Sequence, residues 1–222
     1  MQVKISKLTG AVALGLLLTT ACGPMASRAG AESNHMMMQG NGNAAELRAG
    51  LNTLFSEHVS LAASATGAAL GGRDGEFKAA AAALDANSID IAKAIGSVYG
   101  KDAEAAFLPL WRKHIGFVVD YTVATAAKDK TKQTKAVNDL VGYTEDFGAF
   151  LSSANPNLPK AAVAELVKGH ILTLKDVIDA QAAKDYGKTY MLLRTATAHM
   201  HMIADPLADA IVKQFPDRFA GM

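Results

Sequence analysis

A chain of 222 residues is long enough for one ordinary domain with a core of its own. Half of it is hydrophobic, 6% is aromatic and 19% is charged. That balance excludes a disordered protein, and the apolar share leans on alanine, the residue that costs a helix least and suits strands poorly. A net charge of +1 with acids and bases interleaved excludes a nucleic-acid binder, and one cysteine excludes an internal disulfide framework, a Cys-rich zinc site and a Cys-ligated iron-sulfur cluster.

Residues 1–21 predict a signal peptide: Lys4 and Lys7 precede an apolar, uncharged stretch over residues 8–20 that is short for a membrane span. The segment LTTAC, which ends on Cys22, resembles a bacterial lipobox. It departs from that pattern at Thr19, where a large aliphatic residue is usual, with Leu18 one place further back. The reading is lipidation at Cys22, with plain cleavage after Ala21 as the alternative. It makes the protein exported and lipid-anchored in the cell envelope, facing the periplasm or the exterior, and Gly23 resembles the residue that follows the cysteine in outer-membrane-directed lipoproteins. Residues 22–43 mix Gly, Ser and Asn without a helical or strand period and predict a flexible tether. Within it His35 is followed by Met36, Met37 and Met38, either a chance run or soft ligands of the kind that suit Cu(I).

Residues 44–219 are expected to form the folded domain, and here the chain resembles itself at a spacing of 56. Residues 114–129, HIGFVVDYTVATAAKD, and 170–185, HILTLKDVIDAQAAKD, are identical at eight of sixteen positions without a gap. The same shift backwards lands on His58, so a histidine followed by a β-branched aliphatic residue recurs at 58, 114 and 170. Apolar positions keep the period: Leu84, Leu140 and Ala196, then Ile91, Phe147 and Ile203, then Ile95, Leu151 and Leu207. Fixed self-similarity means that each copy is one supersecondary unit leaning on its neighbours for a core.

Apolar residues recur at helical spacing around each histidine, as in Phe107, Leu110, Trp111, His114, Phe117, Val118 and Tyr121. Second helices carry Leu84, Ile91 and Ile95 and their equivalents, with breaks at GGRDG, YGKD, residues 128–132, NPNLP and KDYG. The expected fold is all-α, a six-helix up-and-down bundle or closed ring built from three helical-hairpin repeats of 56 residues. In such a fold the first helices of the copies run parallel, so His58, His114 and His170 should meet at one level as a histidine-only shell of the kind copper and zinc accept.

His199, on the last return helix at the place held by Tyr143 and Asn87 in the other copies, is a fourth candidate ligand, with Met202 and Ile203 expected beside it on the apolar side. Met191, Met200 and Met202 read as core filler, or as soft sulfur favouring Cu(I). His201 is expected to face outward, near Asp205 and Arg194. Trp111 is expected to pack one turn from His114, and Asp90, Asp146, Asp120 and Asp176 read as solvated carboxylates.

Other chemistries find less support. No candidate histidine has a glutamate three residues before it, which a ferritin-like di-iron site needs, and neither a covalent haem motif nor a nucleophile elbow is present. A b-type haem between two of the histidines stays open, as does an envelope interaction or scaffold module whose histidines only pack.

The segments LNTLFSEHVSLAASATGAALGG, WRKHIGFVVDYTVATAAKDK, HILTLKDVIDAQAAKD and HMHMIADPLADAIVKQFPDRF are similar to an exported bacterial helical-bundle lipoprotein family often labelled copper amine oxidase-like domain. The resemblance implies copper ahead of zinc for His58, His114, His170 and His199. It implies no catalysis, because the β-sandwich and topaquinone motif of a copper amine oxidase are missing. The function expected from residues and resemblance together is binding, storage or delivery of a metal, without an enzymatic activity assigned.

Overall fold

The computed structural model describes residues 43–219, so the expected signal peptide, Cys22 and the His35–Met38 run lie outside the described residues. The described chain is a helical bundle: α1 (Ala44–Leu70), α2 (Asp74–Tyr99), α3 (Lys101–Ala126), α4 (Lys130–Ala154), α5 (Lys160–Ala182), α6 (Tyr186–Gln214) and the single-turn α7 (Pro216–Phe219). No strand occurs among the described residues. No described helix is long and apolar enough to cross a membrane.

Local chemistry sets the helix ends. Asn43 and Glu46 form a reciprocal capping box at the start of α1, while Asp129 and Asp185 accept from Lys132 N and Lys188 N at the starts of α4 and α6. Three of the links share one geometry. Gly72, Lys128 and Lys184 all have positive φ, at 66°, 55° and 58°. Around each, two amide N–H groups close the preceding helix: Gly72 N to Ala69 O and Arg73 N to Ala68 O, then Lys128 N to Thr125 O and Asp129 N to Ala124 O, then Lys184 N to Gln181 O and Asp185 N to Ala180 O. Gly100 alone separates α2 from α3, at φ 92° and ψ 172°, a backbone region open essentially to glycine.

Each long helix packs against the next in the chain, and α6 packs against α1. Helices α1, α3 and α5 also touch one another, although none follows another directly in sequence. The core is filled by their inward stripes, including Leu51, Leu54, Phe55, Phe107, Val177 and Ile178, together with Ile91, Phe147, Leu151, Met200 and Leu207 from the return helices. Alanines at 62, 63, 92, 196, 204 and 208 are buried and let backbones approach. Gly148 makes the tightest such approach to a main chain, since a Cβ there would sit 2.7 Å from Lys160 O at the start of α5.

At one end the fully buried Asn155 donates from Nδ2 to Tyr99 Oη (3.0 Å), and the Tyr99 hydroxyl donates to Gln214 Oε1 (3.1 Å), tying α2, α6 and the α4–α5 link together. Arg218 on α7 donates to Val98 O and Ser97 O and so covers the end of α2.

Two side-chain expectations need correction. Met200 is buried, but Met191 and Met202 are 60% and 56% exposed, so neither fills the core or flanks His199 on an apolar side. His201 faces outward as expected, yet its Nδ1 contacts Asn52 Oδ1 on α1, and it is Asn52 Nδ2 that donates to Asp205 (2.8 Å). The asparagine stands between the two because α1 packs on this face of α6.

Candidate metal centre

His58, His114 and His170 lie in the middle of α1, α3 and α5, the three helices that meet inside the bundle. Each is buried, with exposures of 1%, 4% and 4%. One ring nitrogen from each lies within 4.8 Å of the others. The His58 and His114 Nε2 atoms are 3.4 Å apart, and the His58 ring centroid is 5.4 Å from that of His114 and 5.9 Å from that of His170.

The 3.4 Å separation is long for an N–H···N hydrogen bond, and it matches a shared ion. Two imidazole nitrogens each about 2.0–2.1 Å from a tetrahedral ion are themselves about 3.3–3.4 Å apart. The protonation state fits as well. Burial, followed by the positive charge His114 and His170 would carry, lowers the His58 pKa well below its ordinary value. Burial and then His170 push His114 down to about 3, and burial and then His199 push His170 down to about 4. All three rings are therefore neutral near pH 7, the form that carries a lone pair for a metal.

Unsatisfied polar atoms collect at the same place. Among the described residues, the buried side-chain polar atoms without a partner are Nδ1 of His58, His114 and His170, Asn87 Oδ1, Trp111 Nε1 and Tyr143 Oη. Each such atom costs about 1–3 kcal/mol when nothing satisfies it. Random packing defects would scatter along the bundle, whereas these gather around the histidines. Trp111 meets His114 edge to face at 4.7 Å between centroids and His58 at 4.9 Å, and Tyr143 lies 5.1 Å from His114. Phe55 and Phe107 stack on Trp111 at 5.8 and 5.3 Å and hold it there. Trp111 thus packs as expected, and it also points an unpartnered donor into the same region.

His199 does not join the cluster. Its half-buried ring lies against Gly169, where a Cβ would come within 2.7 Å of it, and its Nε2–H donates to Leu166 O at 2.9 Å. Asn87, at the equivalent place on α2, does the same to Leu54 O at 3.0 Å and also donates to Glu57 (2.8 Å). Leu54 and Leu166 each precede a cluster histidine by four residues, so these side chains grip the turn that carries His58 or His170. Tyr143 holds the third such position, and its ring lies against that of His114 instead, tilted by 34°. Sequence reasoning singled out His199 because it is a histidine. The common signal was a polar residue interrupting the apolar stripe at 87, 143 and 199, beside the helices that carry the three histidines.

The remaining candidates stay at the surface. Asp90 pairs with Lys93 and Asp146 with Lys113, both at 3.0 Å and half-exposed. Comparison with protein-family models, with curated proteins and with solved structures finds no match for this chain.

Proposed function

We propose that this is an exported, lipid-anchored protein that binds one metal ion, copper, through His58, His114 and His170, for storage or delivery in the cell envelope. The observation that carries the reading is the convergence of three neutral, buried imidazoles at ligand spacing. An all-nitrogen donor set without carboxylate or thiolate suits copper or zinc, and the resemblance of the sequence favours copper. His199 and Asn87 serve as positioning residues that hold the ligand-bearing turns, the kind of outer support metal sites use. We further read the domain as three hairpins of one 56-residue unit closed into a ring. The three links with a positive-φ residue at 72, 128 and 184 support it, as does the packing of α6 on α1.

The spacing of the ring nitrogens favours an ion over histidines that only pack, and the aromatic rings pressed against the histidines favour a compact ion over a haem macrocycle. Metal content measured by mass spectrometry on the exported protein tests the reading. A single copper ion per chain is expected, and none in a still-helical variant carrying His58→Ala, His114→Ala and His170→Ala. Negligible metal in both overturns it.

A further inference from the structure

The histidine cluster is sealed by aromatic rings on one side and reached from the surface on another. Between α1, α2 and α3 a groove of about 240 Å³ runs inward and ends on His58 and His114. Its walls are Ala62 and Ala65 of α1, Ala81 and Leu84 of α2, and Val118 and Val119 of α3. Small residues leave this space open: Ala62 and Ala65 follow His58 by four and seven residues, and larger side chains there would fill it.

The lining dictates what enters. Its formal charges at neutral pH are Asp85 and Arg112, and these satisfy each other through two bonds, Arg112 Nε to Asp85 Oδ1 at 2.7 Å and Nη2 to Oδ2 at 2.8 Å. The Thr122 hydroxyl donates to Val118 O (2.8 Å) and the Thr66 hydroxyl bonds Gln181 Oε1 (2.9 Å), so neither aims a free donor into the groove. What remains is an apolar tube with two neutral imidazoles at its floor. Its volume exceeds the roughly 150 Å³ that holds benzene in an engineered apolar cavity. Three protein ligands also leave a metal an open coordination position, as sites that accept an outside ligand do.

We infer that the metal centre takes an external ligand through this groove, a small neutral molecule with an apolar body and a single nitrogen or sulfur donor at one end. The inference rests on the metal reading above. The donor completes the coordination of the ion, the apolar body displaces water from the alanine and valine walls, and the paired Asp85 and Arg112 give a charged molecule nothing to bind.

Cobalt(II) titrated into the full chain, followed by 4-phenylimidazole or imidazole, tests it, with the visible cobalt bands as readout and metal content measured in the same samples. 4-Phenylimidazole is expected to bind at least tenfold more tightly than imidazole. Ala81→Phe and Val119→Phe, both on partly exposed helix positions, are expected to keep the cobalt and to weaken 4-phenylimidazole at least tenfold. Equal affinity of the two probes for the parent protein overturns the groove whatever the variants do, as does full 4-phenylimidazole affinity in variants that retain cobalt. Copper(II) is titrated in parallel with its visible bands as readout; a parent that takes up neither cobalt nor copper overturns the metal reading and this inference together, and the metal content separates that failure from a failure of the groove alone.

Discussion

The Nε2 atoms of His58 and His114, on helices that are not neighbours in sequence, face each other across 3.4 Å inside the bundle. A pair this close, with both Nδ1 atoms unpartnered, is costly to keep for packing alone and well placed to hold an ion. Replacing His114 with leucine, a side chain of comparable bulk, should therefore leave the stability of the metal-free protein unchanged or raise it by about 1–3 kcal/mol while abolishing metal binding. Thermal denaturation in chelator, beside metal content, measures both. A loss of several kcal/mol in the metal-free state would mark His114 as a structural residue.

Burial holds the three histidines neutral in the folded state, His114 to about 3 and His170 to about 4, with His58 also well below its ordinary value. An unfolded imidazole protonates near 6.5. Below that pH the unfolded chain binds protons that the folded chain does not, so stability is full above about pH 6.5 and falls as the pH drops towards the folded values. The slope is about 1.4 kcal/mol per pH unit for each histidine, or about 4 kcal/mol per unit for the three together. Urea midpoints of the metal-free protein between pH 7.5 and 5 should follow this slope, and the triple alanine variant should lose most of it. Identical pH profiles would refute the assignment.

Lys128 and Lys184 occupy the left-handed conformation that Gly72 adopts at the matching link. A non-glycine residue there carries a backbone penalty of about 1 kcal/mol. Lys128→Gly and Lys184→Gly should each stabilise the domain by up to about 1 kcal/mol, and Gly72→Lys should cost a similar amount. Melting temperatures of the three variants give the comparison, which comes out reversed if the links owe their shape to the lysine side chains.

Two glycines of α4 should respond in opposite ways. A Cβ at Gly148 would press on Lys160 O at 2.7 Å, so Gly148→Ala should destabilise by about 1–3 kcal/mol. Gly142 is exposed and faces open space, and Gly142→Ala should gain up to about 1 kcal/mol of helix propensity. Chemical denaturation distinguishes the signs directly.

The histidine periodicity was legible because helix stripes and link residues are local properties: apolar spacing decides which face turns inward, and the breaks at residues 71–75, 99–102 and 155–159 fall where the helices end. A spacing of 56 then placed His58, His114 and His170 at equivalent points of three helices. The role of position 199 was not legible. A histidine on an apolar stripe reads as a ligand until the neighbouring helix is present, and only the approach of α5 at Gly169 brings Leu166 O within reach of its ring. Nor did the sequence separate Met200, which is buried, from Met202 two residues on, because the two lie on different faces of α6 and packing alone decides which one is covered.

By itself the sequence determined that this protein is helical, where its helices stop, and which histidines share a level, since each follows from side-chain period and backbone preference within a short segment. The tertiary structure decided which of those histidines come within ligand distance, which polar atoms around them go without partners, and where alanines leave a way in from the surface. Those properties depend on distances between side chains on separate helices, and such distances exist only once the helices have packed.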